Sequence, residues 1–153
     1  LINDAVQVMV TLNKSAAEIM DGLEVHAATD ITGYGLLGHL SEMCKGSNVS
    51  AEIYSSEIPL INGTKELAEK GFIPGGSKRN FKTSGKYTKF SGSMSEIEKI
   101  ILADAQTSGG LLISLPENQA NEFLNRFRDE TCMEAATIGK IFEKGKDTIT
   151  VHS

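Results

Sequence analysis

The apolar residues of this chain switch repeatedly between helical and strand spacing, which restricts it to folds where helices cover a sheet. Ile2, Ala5, Val6, Met9 and Leu12 form one helical stripe. A shorter helix is expected from Lys14 to Met20, stopping at Asp21-Gly22. "LEVHAAT" is a short β-like run. From Tyr34 to Lys45, the positions Leu36, Leu37, Leu40, Met43 and Cys44 share one helix face, which Gly46 closes. "VSAEIY" alternates Val49, Ala51 and Ile53 and reads as a half-buried strand. "TKELAEKG" is a short helix with a glycine stop, and residues 71–93 form the longest irregular stretch. Ser95 and Glu98 have capping-box spacing for a helix reaching about Leu102. "GGLLISL" reads as a buried strand, and Pro116 opens a helix whose stripe includes Ala120, Phe123, Leu124 and Phe127. "AATIGKIF" and "TITVHS", joined by "EKGKD", are expected to form a terminal hairpin. That hairpin breaks strict βαβ alternation, so the expected architecture is an α/β (α+β) domain with a mixed sheet flanked by helices.

At 153 residues the chain fits one domain with a real core. A net charge of -5 gives no general attraction to nucleic acid or anionic membranes. No apolar run approaches the ~20 residues needed to span a bilayer. "LINDAVQVMV" has no basic region ahead of an apolar one, unlike a signal peptide. It also lacks an initiator Met, which suggests a piece of a longer protein. Cys44 and Cys132 are far apart with no CxxC spacing, so reduced thiols and a cytoplasmic location are expected. Cys44 sits at an apolar helical position and reads as packing.

The densest chemistry lies in "HAATDITGYGLLGHL", residues 26–40, where Asp30 precedes Gly33, Gly35 and Gly38. These glycines spell GxGxxG, but no convincing ribose-binding acid follows and the sheet order is wrong for a dinucleotide fold. Two readings stay open. Asp30 or Thr32 could N-cap the following helix, with the glycines easing a tight entry. Alternatively, Gly33 and Gly35 bare a helix start that favours an anion, and Asp30 holds a Mg²⁺ that binds the phosphates of a nucleotide.

Two further constellations accompany it. In "DAQTSGGLLIS", residues 104–114, Thr107 and Ser108 could rim the same cleft, while Gly109 and Gly110 alone suggest a close backbone approach. In "PGGSKRN", residues 74–80, Asn80 could fix the loop and Lys78 and Arg79 could screen phosphate charge or simply face solvent. His26 and His39 lack a second ligand at metal spacing and read as structural.

"ATDITGYGLLGHLSEM", "GFIPGGSKRN" and "DAQTSGGLLIS" together resemble, in order and spacing, three signatures of the C-terminal domain of the selenophosphate synthetase (selenide, water dikinase) family. The first and third also mark the wider aminoimidazole ribonucleotide synthetase-like superfamily. The resemblance implies that residues 1–153 are one C-terminal domain following an N-terminal ATP-binding domain absent here. It implies a homodimeric enzyme in which ATP and selenide give selenophosphate, AMP and orthophosphate with Mg²⁺. Asp30 would be a metal ligand, with Thr29, Thr32, Gly33, Gly35, Asn80, Thr107, Ser108 and Gly109 facing the nucleotide. No catalytic residue falls in this segment, because the family's reactive Cys or selenocysteine and its Lys belong to the N-terminal domain. Ala105 stands where that family usually has Pro, and Tyr34 where Phe is commoner. Related readings are a superfamily member acting on purine intermediates, thiamine phosphate or hydrogenase maturation, or a packing module without chemistry.

Overall fold

A computed structural model describes residues 2–131 and 133–153. Cys132 therefore lies outside the described residues. Helices α1 (Ile2–Val10) and α2 (Lys14–Met20) lead into strand β1 (Ala27–Asp30), helix α3 (Gly35–Ser47) and strand β2 (Val49–Tyr54). Helices α4 (Thr64–Glu69) and α5 (Gly75–Ser84), strand β3 (Thr88–Phe90) and helix α6 (Glu96–Ile101) follow. Strand β4 (Leu111–Ser114), helix α7 (Glu117–Glu130) and strands β5 (Gly139–Glu143) and β6 (Ile149–His152) complete the order.

The larger sheet runs β3-β6-β2-β5, with β6 parallel to both β3 and β2, and β5 antiparallel to β2. A separate ribbon pairs β1 antiparallel to β4, from Ala27 opposite Ser114 to Asp30 opposite Leu111. The mixed sheet flanked by helices is as expected from the apolar periods. The terminal hairpin is not: β2 lies between β5 and β6, which therefore never pair. Gly139 lets β5 close on β2, since a Cβ there would lie 2.0 Å from the Glu52 carbonyl oxygen.

Alternation along β2 and β6 turns Ala51, Ile53, Ile149 and Val151 toward one face, where α3 lays Leu37, Leu40 and Cys44. Met94, Leu102 and Ala103, before and after α6, seal this core. Cys44 is fully buried, and burial raises its thiol pKa, as a packing residue requires. A second, smaller cluster joins α2 to α7 through Ala16, Ile19, Phe123 and Phe127, packed with Leu111 and Ile113 of β4. The helix stripes read around Phe123 and Phe127 thus find each other across the ribbon.

Two further expectations need correction. Helix α3 runs through Gly46 to Ser47 and stops at Asn48, whose left-handed backbone (φ 53°) makes the turn. The stretch 71–93 contains α5 and β3. The inner face of α5 carries Ser77, Asn80, Phe81 and Ser84, a helical spacing written mostly in polar residues. The stripe read over residues 2–12 does form helix α1, but it buries nothing among the described residues, and Ile2 is 78% exposed.

The capping box at α6 forms as its spacing suggests: Glu98 N–H donates to Ser95 Oγ, and Ser95 N–H donates to Glu98 Oε2. Lys65 Nζ donates to Glu98 at 2.9 Å. That side-chain bond, then the Ser95 bonds, lower the Glu98 carboxyl from 4.5 to about 2. A depressed acid contributes stability above its unfolded pKa and loses it as pH falls through the folded value. The cap should therefore weaken between about pH 4.5 and 2, and carbon-detected NMR titration of Glu98 should show the low midpoint. Leu37→Ala, which empties the centre of the core, should cost about 2–5 kcal/mol in urea denaturation.

Candidate functional site

The three polar motifs meet where α3 begins. Gly35 has φ +68°, and a Cβ there would lie 2.6 Å from the Asp104 carbonyl oxygen and 2.8 Å from that of Ala103. Only glycine accommodates both the backbone angle and the approach. The space it frees is thus filled by protein backbone, so Gly35 lets the two segments close on each other.

The turn before it is tied on all sides. Ile31 N–H donates to the Gly110 carbonyl at 2.9 Å, and Gly109 N–H donates to the Ile31 carbonyl at 2.9 Å. Thr32 N–H donates to His39 Nε2 at 3.1 Å, while its carbonyl accepts from Gln106 N–H at 3.1 Å and Gly35 N–H at 2.9 Å. Asn80 Nδ2 donates to the Gly33 carbonyl at 2.8 Å and the Ala103 carbonyl at 3.2 Å. Asn80 does fix the loop, through two bonds from its amide nitrogen. His39 is buried and structural, as its isolation suggested, but it is structural at the site itself.

Beneath the turn, Asp104 anchors α5. Ser77, fully buried, donates its hydroxyl to Asp104 Oδ1, and Gln106 Nε2 donates to Oδ2 at 2.7 Å. Ala105 N–H donates to Ser77 Oγ at 3.3 Å, a bond that a proline at 105 could not make. Ser77, Asp104 and Gln106 fall inside the quoted motifs, but their mutual hydrogen bonds were not read from them, though the helical spacing of Ser77 with Asn80 and Ser84 was available to be read.

Against this fixed frame stands Asp30, the last residue of β1 and exposed. Among the described residues no hydrogen bond or ion pair engages its carboxylate. The capping alternative is not realised: α3 has Tyr34 as its N-cap, with no side-chain cap bond. Thr29 Oγ1 makes only a long 3.3 Å bond to the Asp30 carbonyl. Thr107 and Gly33 are exposed, and Ser108, next to Thr107 in sequence, is half-buried. Lys78 and Arg79 are exposed on α5, and the Arg79 guanidinium lies back toward Gly75. His26 is an exposed residue with Glu24 at 3.7 Å, remote in role from the turn.

The donor set suits a hard cation only in part. Among the described residues no three His, Cys, Asp or Glu side chains converge on one point. A Mg²⁺ takes six oxygen ligands and is commonly held by one or two carboxylates plus substrate phosphates. Asp30 could fill one such place only if the remaining ligands came from other groups.

Over residues 3–152 the chain matches the family described as "AIR synthase related protein, C-terminal domain". The chain belongs to that family. As an AIR synthase related C-terminal domain it is similar to proteins named selenide, water dikinase. It is 43% identical over 150 residues to one from Clostridium botulinum (strain Eklund 17B / Type B), covering 98% of this chain and 43% of the relative. It is 46% identical over 150 residues to one from Caldanaerobacter subterraneus subsp. tengcongensis, covering 97% and 43%. The chain thus spans less than half the length of these relatives. Thiamine monophosphate kinase from Aquifex aeolicus shares the fold, with a TM-score of 0.57 at 20% identity over 95% of this chain and 38% of that one.

Asn80→Ala should leave the Ala103 carbonyl without a partner and free the turn at Gly33. The expected loss is about 1–3 kcal/mol by chemical denaturation, with faster amide exchange confined to residues 31–35 and 103–106.

Proposed function

We propose that this domain is the C-terminal part of a selenide, water dikinase, and that it contributes one Mg²⁺ ligand, Asp30, to a nucleotide site completed by the rest of the enzyme. In that reaction ATP and selenide yield selenophosphate, AMP and orthophosphate. The similarity to relatives named for that activity supports the substrate class. The observation that carries the role of Asp30 is an exposed, unpartnered carboxylate on a turn whose backbone is held on every side. Mg²⁺ bound there neutralises charge on phosphate oxygens.

The chain's own contribution is position. Phosphoryl transfer depends mainly on orientation and charge neutralisation, so one rigidly placed ligand matters without any bond-making residue nearby. Thr29, Thr32, Thr107 and Ser108 carry hydroxyls within the same two motifs, and Gly33 leaves the turn bare for a phosphate to approach. Gly109 joins this rim through its backbone, and Asn80 and Gly35 support it from behind. In the whole enzyme this domain closes the nucleotide site, and ATP and selenide reach it through the upstream domain of a homodimer. A cytoplasmic enzyme of this kind needs neither nucleic acid nor membrane as a partner.

A packing role has one observation in its favour, the uncovered apolar stripe of α1. The two roles separate in a single experiment on the full-length enzyme. Asp30→Ala should lower ATP turnover by more than about a hundred-fold, the loss of several kcal/mol of metal-borne stabilisation, while the thermal midpoint stays at the wild-type value. Wild-type turnover in that variant would leave only the packing role.

A further inference from the structure

We infer that His39 is a positioning residue, which sets the place of Asp30 by accepting the Thr32 amide hydrogen. The inference rests on the metal-ligand reading of Asp30. A backbone N–H can only donate, and Thr32 N–H points at His39 Nε2 at 3.1 Å. Nε2 therefore carries a lone pair, and the ring hydrogen sits on Nδ1. The Thr32 hydroxyl lies 3.1 Å from the same nitrogen and, in that tautomer, competes for its one lone pair.

The bond occupies a particular place in the turn. Main chain fixes Ile31, through Gly109 and Gly110, and the Thr32 carbonyl, through Gln106 and Gly35. The Thr32 amide has no main-chain partner among the described residues and depends on a side chain about one helical turn into α3. That side chain is 8% exposed, on a helix packed directly on β1 and the larger sheet. The Tyr34 ring stands 5.8 Å away at a tilted 59°, on the solvent side of the imidazole. Asp30 is two residues from the amide so held. A turn missing this bond keeps the main-chain ties of Ile31 and loses the restraint at Thr32, two residues from the carboxylate, while the core stays intact. Groups bonded directly to a metal ligand change metal affinity by about ten- to a hundred-fold, the scale against which this more distant restraint is read.

The test uses the full-length enzyme with Asp30→Asn, His39→Leu and His39→Gln. Leucine keeps the volume without an acceptor, whereas the glutamine carbonyl can accept from the Thr32 amide. Metal response is read in two ways: the Mg²⁺ concentration giving half-maximal turnover, and Mn²⁺ bound beside a non-hydrolysable ATP analogue, by electron paramagnetic resonance. His39→Leu should raise both metal midpoints by about ten-fold or more, with KM for ATP at saturating metal much less affected. His39→Gln should recover most of the wild-type response. Asp30→Asn with unchanged metal midpoints overturns the ligand reading itself. A response to Asp30→Asn together with none to His39→Leu overturns the positioning role alone. Should His39→Leu fail to fold, ¹⁵N NMR of the wild-type ring decides: the Nδ1–H tautomer supports the inference, and an Nε2–H ring ends it.

Discussion

At the first residue of α3 two stretches of backbone press together with no side chain between them. Gly35 lies against the peptide linking Ala103 to Asp104. Because that approach brings the end of α6 to the start of α3, the segment after α6 can reach Thr32 and Ile31 with its own amides. Because the same segment is fixed, Asp104 can hold Ser77, and α5 comes into place with Asn80 over Gly33. Motifs spread from residue 26 to residue 114 become one structure through a contact that no apolar pattern advertises. A larger residue at 35 would therefore separate the motifs, even though the hydrophobic core beneath them could still assemble.

How much could be read from residue order follows from which side chains do the packing. Where burial is apolar and periodic, as in Leu37, Leu40 and Cys44 or Phe123 and Phe127, the elements and their faces were legible. Helix α5 was not, because Ser77 and Asn80 face inward to hydrogen-bond neighbouring loops and buried Ser84 bonds within its own helix, and hydropathy registers such a face as loop. The expected pairing of the last two strands failed for another reason. Adjacent strands with a short connection favour a hairpin, but β2, far upstream, supplies both a parallel neighbour for β6 and an antiparallel one for β5. Long-range competition of that kind leaves no local mark. The stripe on α1 was correctly read as amphipathic, yet amphipathicity does not say what covers it.

The motif residues divide in a similar way. All three motifs do gather, but their members play unlike parts. Gly35 and Asn80 spend their chemistry on other protein groups, whereas the Asp30 carboxylate is exposed and has no hydrogen bond or ion pair among the described residues. Spacing could bring these residues together on paper. Only the hydrogen-bond partners separate frame from contact, since an asparagine that clamps a loop and one that touches a nucleotide look the same in a string of letters.

The Ser77 hydroxyl gives to Asp104 and takes from the Ala105 amide. An imino acid in place of Ala105 would withdraw the second of these while stiffening the chain, two effects of opposite sign and similar size. Positions 77 and 105 are consequently bound to one another, so the acceptability of a residue at either one is decided by its counterpart on the neighbouring segment.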